Sequence, residues 1–157
     1  FQKPMVAAIN GHVVASALAF SMCFDYRVMQ KEKAVCTFPE IDVSIIPPSG
    51  CMAMVKYVIG ERMPALAFLS GRKFDGSAAL AAGMVDELAE SQVVIDRAVA
   101  VAAELGAKKP RLFAEYKKRF RGEIADRMLA EDLRYIDEEM DVTMFQNCDL
   151  ACLRSLG

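Results

Sequence analysis

The sequence predicts an α/β fold that ends in a helical extension, and three observations carry that reading. Short continuous apolar runs, Pro4–Ile9 and Ala34–Phe38, read as strands covered on both faces. These runs alternate with apolar stretches of helical length. From Arg62 onward helical patterning dominates, so the chain resolves into an α/β unit followed by an α-rich tail. The chain shows no internal repeat and no low-complexity segment.

The elements follow in order. Pro4–Ile9 is a strand, and the Asn10-Gly11 pair after it is a strong turn signal. That turn also decides a second question. Met5–Phe24 runs about twenty residues without a charge, near the length a bilayer requires. With a turn inside it, the segment reads instead as a buried strand, a turn and a buried helix starting at Ala15-Ser16. Asp25–Met29 returns as a strand, Lys31-Glu32-Lys33 makes a polar turn, and Ala34–Phe38 is a strand stopped by Pro39-Glu40. Pro47-Pro48-Ser49-Gly50 reads as a rigid loop before a helix over Cys51–Ile59 that stops at Gly60. Met63–Leu69 is helical with Pro64 in its first turn. Gly76–Ala82 is helical up to Gly83, and Met84–Leu88 is a short strand. Ser91–Leu105 is amphipathic, placing Val94, Ile95, Ala98, Val99 and Ala102 on one face, with Gly106 as its stop. Pro110 opens a helix to about Arg121, and Ile124–Met140 forms the last long one.

Composition excludes several classes. The 157 residues suit one compact domain with its own core. A net charge of −2 removes the electrostatic footprint of a nucleic-acid binder, whose domain pI exceeds about 9. A mean hydropathy of +0.22 leads us to expect apolar surface covered by a partner. The cysteines Cys23, Cys36, Cys51, Cys148 and Cys152 form an odd set without a C-x-x-C pair, which fits reduced thiols in an intracellular compartment. Cys148 and Cys152 can share a helix face, but no His neighbours them, so no metal is expected. Ten methionines and no tryptophan fit a soft, helix-rich core. The first residues, Phe1-Gln2-Lys3-Pro4, carry neither an initiator Met nor a leader, so the chain reads as a segment of something longer.

The inventory of reactive groups is narrow. His12 is the one histidine, and it follows a tight turn rather than a nucleophile elbow. Neither G-x-G-x-x-G nor G-x-x-x-x-G-K occurs, which leaves a nucleotidase, kinase or dehydrogenase without support. Three features remain. Ala15, Ser16 and Ala17 are small residues at a helix start, where unpaired backbone N–H groups and partial positive charge stabilise an oxyanion. The same residues also serve close helix–strand packing, so both readings stand. Glu40 precedes Ile41, Val43, Ile45 and Ile46; in apolar surroundings its pKa would rise toward the range useful for moving protons. At a wet strand end it would be an ordinary glutamate. Finally, Lys108, Lys109, Arg111, Lys117, Lys118, Arg119 and Arg121 crowd one helix, and Glu131, Asp132, Asp137, Glu138, Glu139 and Asp141 crowd the next. They read either as solvated faces that partly neutralise each other or as a basic patch for a phosphorylated ligand.

Lys3-Pro4-Met5-Val6-Ala7-Ala8-Ile9-Asn10-Gly11 resembles the K-P-x-I-A-A-[IV]-N-G segment of the enoyl-CoA hydratase/isomerase (crotonase) superfamily. In the same order, Cys23-Phe24-Asp25-Tyr26-Arg27 resembles its C-D-[YIL]-R and Phe38-Pro39-Glu40-Ile41 its F-x-x-P-E. Ile45-Ile46-Pro47 resembles G-[LI]-[IL]-P, Leu69-Ser70-Gly71-Arg72 resembles L-x-[TS]-G, and Ala79–Val85 resembles A-x-x-x-G-[LI]-V. The resemblance covers nearly the whole chain. It implies a crotonase-like (ClpP/crotonase) fold, with a ββα-superhelix core over residues 1–106 lacking its N-terminal strands. A C-terminal helical trimerisation region would follow over 107–157. It also implies a homotrimer or a hexamer built as a dimer of trimers, with C-terminal helices packed over a neighbouring active site. The implied partner is an acyl-CoA thioester, which is the substrate, with no cofactor besides.

Members of that superfamily hold an enolate oxygen with two backbone N–H groups. One of them falls on Ser16, where this chain has Ala15-Ser16-Ala17 in place of the usual Gly-Gly-Gly. The other belongs to a loop that precedes this segment in the family. Hydratases pair two glutamates; aligned without a gap from Asn10 to Asp25, the first falls on Ala19 and the second is Glu40. A single acid suits the Δ3,Δ2-enoyl-CoA isomerases of fatty-acid β-oxidation, which makes Glu40 the expected catalytic residue. Pro48-Ser49-Gly50-Cys51 resembles the P-x-G-C loop of the peroxisomal isomerase branch, whose acid lies where this chain has Ser49. The same loop resembles crotonase-like domains of chromatin proteins, which act as binding modules. Ala15, Ala17, Pro48, Ser49 and Gly50 are accordingly expected at the substrate pocket, and Lys117 at the CoA phosphates. Enoyl-CoA hydratase and a non-catalytic acyl-CoA-binding module are the alternatives. This chain alone, with half an oxyanion hole, is expected to be inactive. The expected location is mitochondrial or peroxisomal in a eukaryote and cytoplasmic in a bacterium.

Overall fold

Two small sheets organise the chain in a computed structural model that describes residues 1–138. β1 (Val6–Ile9), β3 (Tyr26–Gln30) and β6 (Glu87–Ala89) form one sheet, parallel throughout, in the order β1-β3-β6. β2 (Val13–Val14), β4 (Val35–Thr37) and β5 (Phe74–Asp75) form the other; β2 runs parallel to β4 and β5 antiparallel to it. The helices are α1 (Ser16–Met22), α2 (Ser49–Ile59), α3 (Arg62–Ser70), α4 (Gly76–Ala81), α5 (Val94–Gly106) and α6 (Pro110–Arg127). A π-helical turn, Met128–Asp132, leads from α6 into α7 (Leu133–Glu138). Met5–Phe24 is thus divided among β1, β2 and α1, and no helix among the described residues is long and apolar enough to cross a membrane.

The main core gathers Leu18 and Met22 of α1, Met29 of β3, Cys36 of β4, Val55 of α2 and Phe74 of β5. Phe38 stacks on Phe68 of α3 with ring centroids 4.3 Å apart. A second, smaller cluster joins Val28 of β3 to Val94, Ala98 and Val101 of α5. Cys23, Cys36 and Cys51 are free thiols, whereas Cys148 and Cys152 lie outside the described residues.

The structure corrects the sequence reading at several points. β2 and β5 are too short to leave a periodic signal. Met84 and Val85 are buried, but the ladder begins only at Glu87, because pairing with Val28 selects residues 87–89. Ser49 and Gly50 form the first turn of α2 rather than a loop. On α5 the buried row is Val94, Ala98 and Val101, while Ile95 and Val99 are 56% and 63% exposed. Gly122 does not end α6; glycine disfavours a helix without breaking it, and α6 runs on to Arg127. The expected separate helix over Ile124–Met140 is therefore a continuation, and its last residues lie outside the described ones.

Two partly buried ion clusters fasten the framework. Asp25 Oδ2 accepts the Met5 N–H at 2.8 Å and Lys117 Nζ at 2.7 Å, and Asp25 Oδ1 accepts Arg121 at 3.0 Å. Arg27 pairs with Asp86 at 2.7 Å, and Asp86 also accepts the Arg27 N–H at 2.8 Å. The basic helix is thus tied to the approach of β3. Arg119 and Arg127 pair one turn along their own helical stretch, with Glu115 and Glu131.

Candidate active site

β2 and β4 lie side by side with Val14 beside Thr37, so the chain leaves both strands at the same edge of the sheet. Past Val14 it turns at Ala15 into α1, and past Thr37 it passes Phe38 and Pro39 to reach Glu40. The Ala15 N–H donates to Thr37 O at 2.9 Å and pins the two exits together. The carboxyl ends of parallel strands are where α/β sheets usually place ligands. Parallel pairing therefore brings Ser16 and Glu40, well apart in sequence, to one edge.

Ala15 has φ 54° and ψ −128°, a conformation that favours glycine. The strain of replacing glycine falls on Ala15, since Ser16 is already the first helical residue of α1. The N–H groups of Ser16 and Ala17, in the first turn, have no carbonyl one turn earlier within the helix.

Glu40 is 7% exposed, which rules out the wet strand end. Its Oε2 has no hydrogen-bond partner among the described residues. Burial pushes its carboxyl above the ordinary glutamate range, opposed by a smaller pull from its own backbone N–H. The turn that carries it is braced on its own carbonyl: Val43 N–H and Ile45 N–H donate to Glu40 O at 3.3 and 2.9 Å. Ser44 completes the turn at φ 58°, a left-handed conformation for a non-glycine residue. Ala19, where the second acid of a two-acid site would stand, is buried in α1.

Pro48, Ser49 and Gly50 open α2, and the C-terminal stretch holds them there. Ser49 Oγ donates to Glu131. The N–H groups of Gly50 and Cys51 donate to Asp132 Oδ1 and Oδ2 at 2.8 and 3.0 Å. Tyr135 O–H donates to Ile46 O at 2.6 Å. Cys51 feels the charges of both Glu40 and Asp132, which add to burial in pushing its thiol up to about 12. Asp132, which a solvated acidic face would leave in water, is instead buried, 8% exposed. The signal that could have found it is the run of N–H donors opened by Pro48-Ser49-Gly50, which asks for an acceptor from elsewhere.

Lys117 donates to Asp25 and to Lys3 O at 3.2 Å, so its ammonium is engaged within the fold. It borders a groove of about 970 Å³, lined also by Lys3, Cys23, Arg111, Lys118 and Arg121, to which Glu40 does not contribute.

The sequence pattern of the family described as "Enoyl-CoA hydratase/isomerase" matches residues 1–151. Enoyl-CoA delta isomerase 3 of Arabidopsis thaliana is 35% identical over 109 residues, covering 68% of this chain and 46% of that protein. The peroxisomal enoyl-CoA delta isomerase 2 of the same plant is 33% identical over 109 residues, covering 68% and 45%. This chain thus spans about half the length of the curated relatives it matches. Among solved structures, an enoyl-CoA hydratase from Mycobacterium marinum superposes with a TM-score of 0.81 at 28% identity, covering 90% of this chain and 62% of that one.

Proposed function

The chain belongs to the enoyl-CoA hydratase/isomerase family and has the crotonase fold, and on that premise we propose that the protein is a Δ3,Δ2-enoyl-CoA isomerase acting on unsaturated fatty acyl-CoA thioesters. One observation carries this reading: the edge shared by β2 and β4 offers one buried carboxylate, Glu40, with Ala19 where a second would stand. Isomerisation needs one acid and no water. Ionised Glu40 takes a proton from C2, which the thioester acidifies. The electron pair delocalises into a dienolate whose oxygen accepts the Ser16 N–H. Protonated Glu40 then returns a proton to C4, so that the C3=C4 double bond becomes C2=C3 with no net change in atoms. A carboxyl with a raised pKa suits both steps, because it is basic enough to take the proton and acidic enough to give it back.

Hydration has a different requirement, a water held between two acids, and Ala19 supplies no acceptor for it. The names of the two plant relatives agree with the isomerase reading. The same proposal includes acyl-CoA as the ligand, assembly as a trimer or as paired trimers, and an intracellular location.

The test is an assay of the whole protein on 3-enoyl-CoA and 2-enoyl-CoA, with Glu40→Gln beside wild type. Turnover of the 3-enoyl substrate that falls at least about 100-fold in the variant supports the proposal. Equal rates for the two proteins remove Glu40 as the base. Faster hydration of 2-enoyl-CoA than isomerisation of 3-enoyl-CoA makes the protein a hydratase. Tight CoA binding without either reaction makes it a binding module.

A further inference from the structure

Glu40 sits at one end of a short connector and the first turn of α2 at the other. The connector, residues 41–48, is held at its start by the Val43 and Ile45 N–H bonds to Glu40 O. Its far end runs through Pro47 and Pro48, whose rings fix φ and make that stretch stiff. Between them Ser44 is held at φ 58°, a left-handed conformation uncommon for a non-glycine residue. What fixes the far end is remote in sequence. Asp132 receives the Gly50 and Cys51 N–H groups on its two oxygens, Tyr135 binds Ile46 O, and Glu131 binds Ser49.

All three side chains leave the same side of the C-terminal stretch, because positions 131, 132 and 135 fall within one face of helical winding. Residues 131 and 132 close the π turn Met128–Asp132 and Tyr135 stands in the first turn of α7, so the three meet the 46–51 segment together. The approach is close: a Cβ on Gly50 would lie 2.8 Å from Met128 Cα and 2.8 Å from Asp132 Oδ2. Asp132 is itself buried, and each of its two carboxylate oxygens accepts a backbone N–H.

We propose that Asp132 is a positioning residue of the Glu40 site. By clamping the first turn of α2 it holds the proline-stiffened connector, and through Glu40 O it keeps the Glu40 carboxyl buried. In this role Asp132 neither gives nor takes a proton. The proposal rests on the isomerase reading only for its kinetic consequence.

The experiment uses the full chain as wild type, Asp132→Ala, Asp132→Asn and Gly50→Ala. The last keeps Asp132 and favours helix at position 50, but its Cβ pushes the π turn away. The first readout needs no substrate: a carbon-13 NMR titration of the glutamate carboxyls, with the Glu40 signal assigned by its loss in Glu40→Gln. The raised Glu40 pKa of the wild type should move toward the ordinary value in Asp132→Ala and Gly50→Ala, and partway in Asp132→Asn, which keeps one acceptor. An unchanged Glu40 titration in folded Asp132→Ala and Gly50→Ala overturns the proposal. The second readout is the pH profile of isomerisation. Asp132→Ala should lower kcat about 10- to 100-fold with KM little changed, and its acid limb should move to lower pH. A variant that merely unfolds more easily would lose active protein with the acid limb unmoved, and that result also overturns the proposal. If no isomerisation is found in any variant, the isomerase reading fails while the titration still decides the role of Asp132.

Discussion

Lys117 Nζ stands 2.7 Å from Asp25 Oδ2, joining α6 to the residue that precedes β3, with both side chains largely buried. Arg121 reaches the same carboxylate, and the Met5 N–H completes it. Removing the acid leaves two partly buried cations without their counter-charge. Asp25→Ala should therefore cost about 3 kcal/mol, read as a lower urea midpoint. Lys117→Met should cost much less, because Arg121 and the Met5 N–H still satisfy Asp25. A loss in Asp25→Ala below about 1 kcal/mol would show that the cluster does not hold the helix to the core.

Glu40 should make stability fall as pH rises. Its folded pKa lies above its unfolded value of about 4.3. Below that value the carboxyl is neutral in both states and its contribution is fully present. That contribution is lost as pH rises through the folded pKa, since the unfolded chain gives up the proton more readily. Glu40→Gln removes this dependence. Urea denaturation should show variant and wild type nearest at about pH 4 and the variant relatively more stable at pH 7. The acid limb of wild-type kcat/KM should lie above the ordinary carboxylate range for the same reason.

Ala15→Gly should stabilise the fold. At φ 54° and ψ −128° an alanine is strained and a glycine is not, and the gain exceeds the entropy that glycine loses on folding. A rise of about 1 kcal/mol in unfolding free energy is expected. A drop would mean that the first turn of α1 is held by the alanine methyl rather than in spite of it.

The phase of α5 can be checked with two truncations. Val94 is 1% exposed and packs on Val28, so Val94→Ala should cost about 2 kcal/mol. Ile95, one residue on, is mostly exposed, and Ile95→Ala should change the unfolding free energy by less than about 0.5 kcal/mol. Equal costs would restore the broader apolar face read from the sequence.

What the sequence disclosed follows the range of the interactions. Strands β1, β3 and β4 and helices α1 to α6 were legible because each carries its own apolar run or stop signal. Glu40 and Ser16 were legible as motif residues, and the apolar residues after Glu40 already pointed to a raised pKa. Strands β2 and β5 were not, because two residues cannot show a period; they exist only through the neighbours they pair with. Asp132 was hidden for a related reason. Nothing beside it in the chain distinguishes it from Glu131, and its burial comes from a π turn and a partner helix some eighty residues earlier. Lys117 illustrates the reverse: its charge was plain, but the acid that claims it lies 92 residues away.

The ladder joining β2, which leads to Ser16, to β4, which leads to Glu40, consists of two residue pairs, Val13 beside Cys36 and Val14 beside Thr37. So short a ladder has almost no cooperativity of its own. It is kept closed by the dry packing of Val13, Cys36 and Phe38 beneath it. The β2–β4 seam should therefore open before the larger sheet does, at a free energy below that of global unfolding. Deuterium exchange at the Ala15 amide, whose acceptor is Thr37 O, reports how often this seam opens.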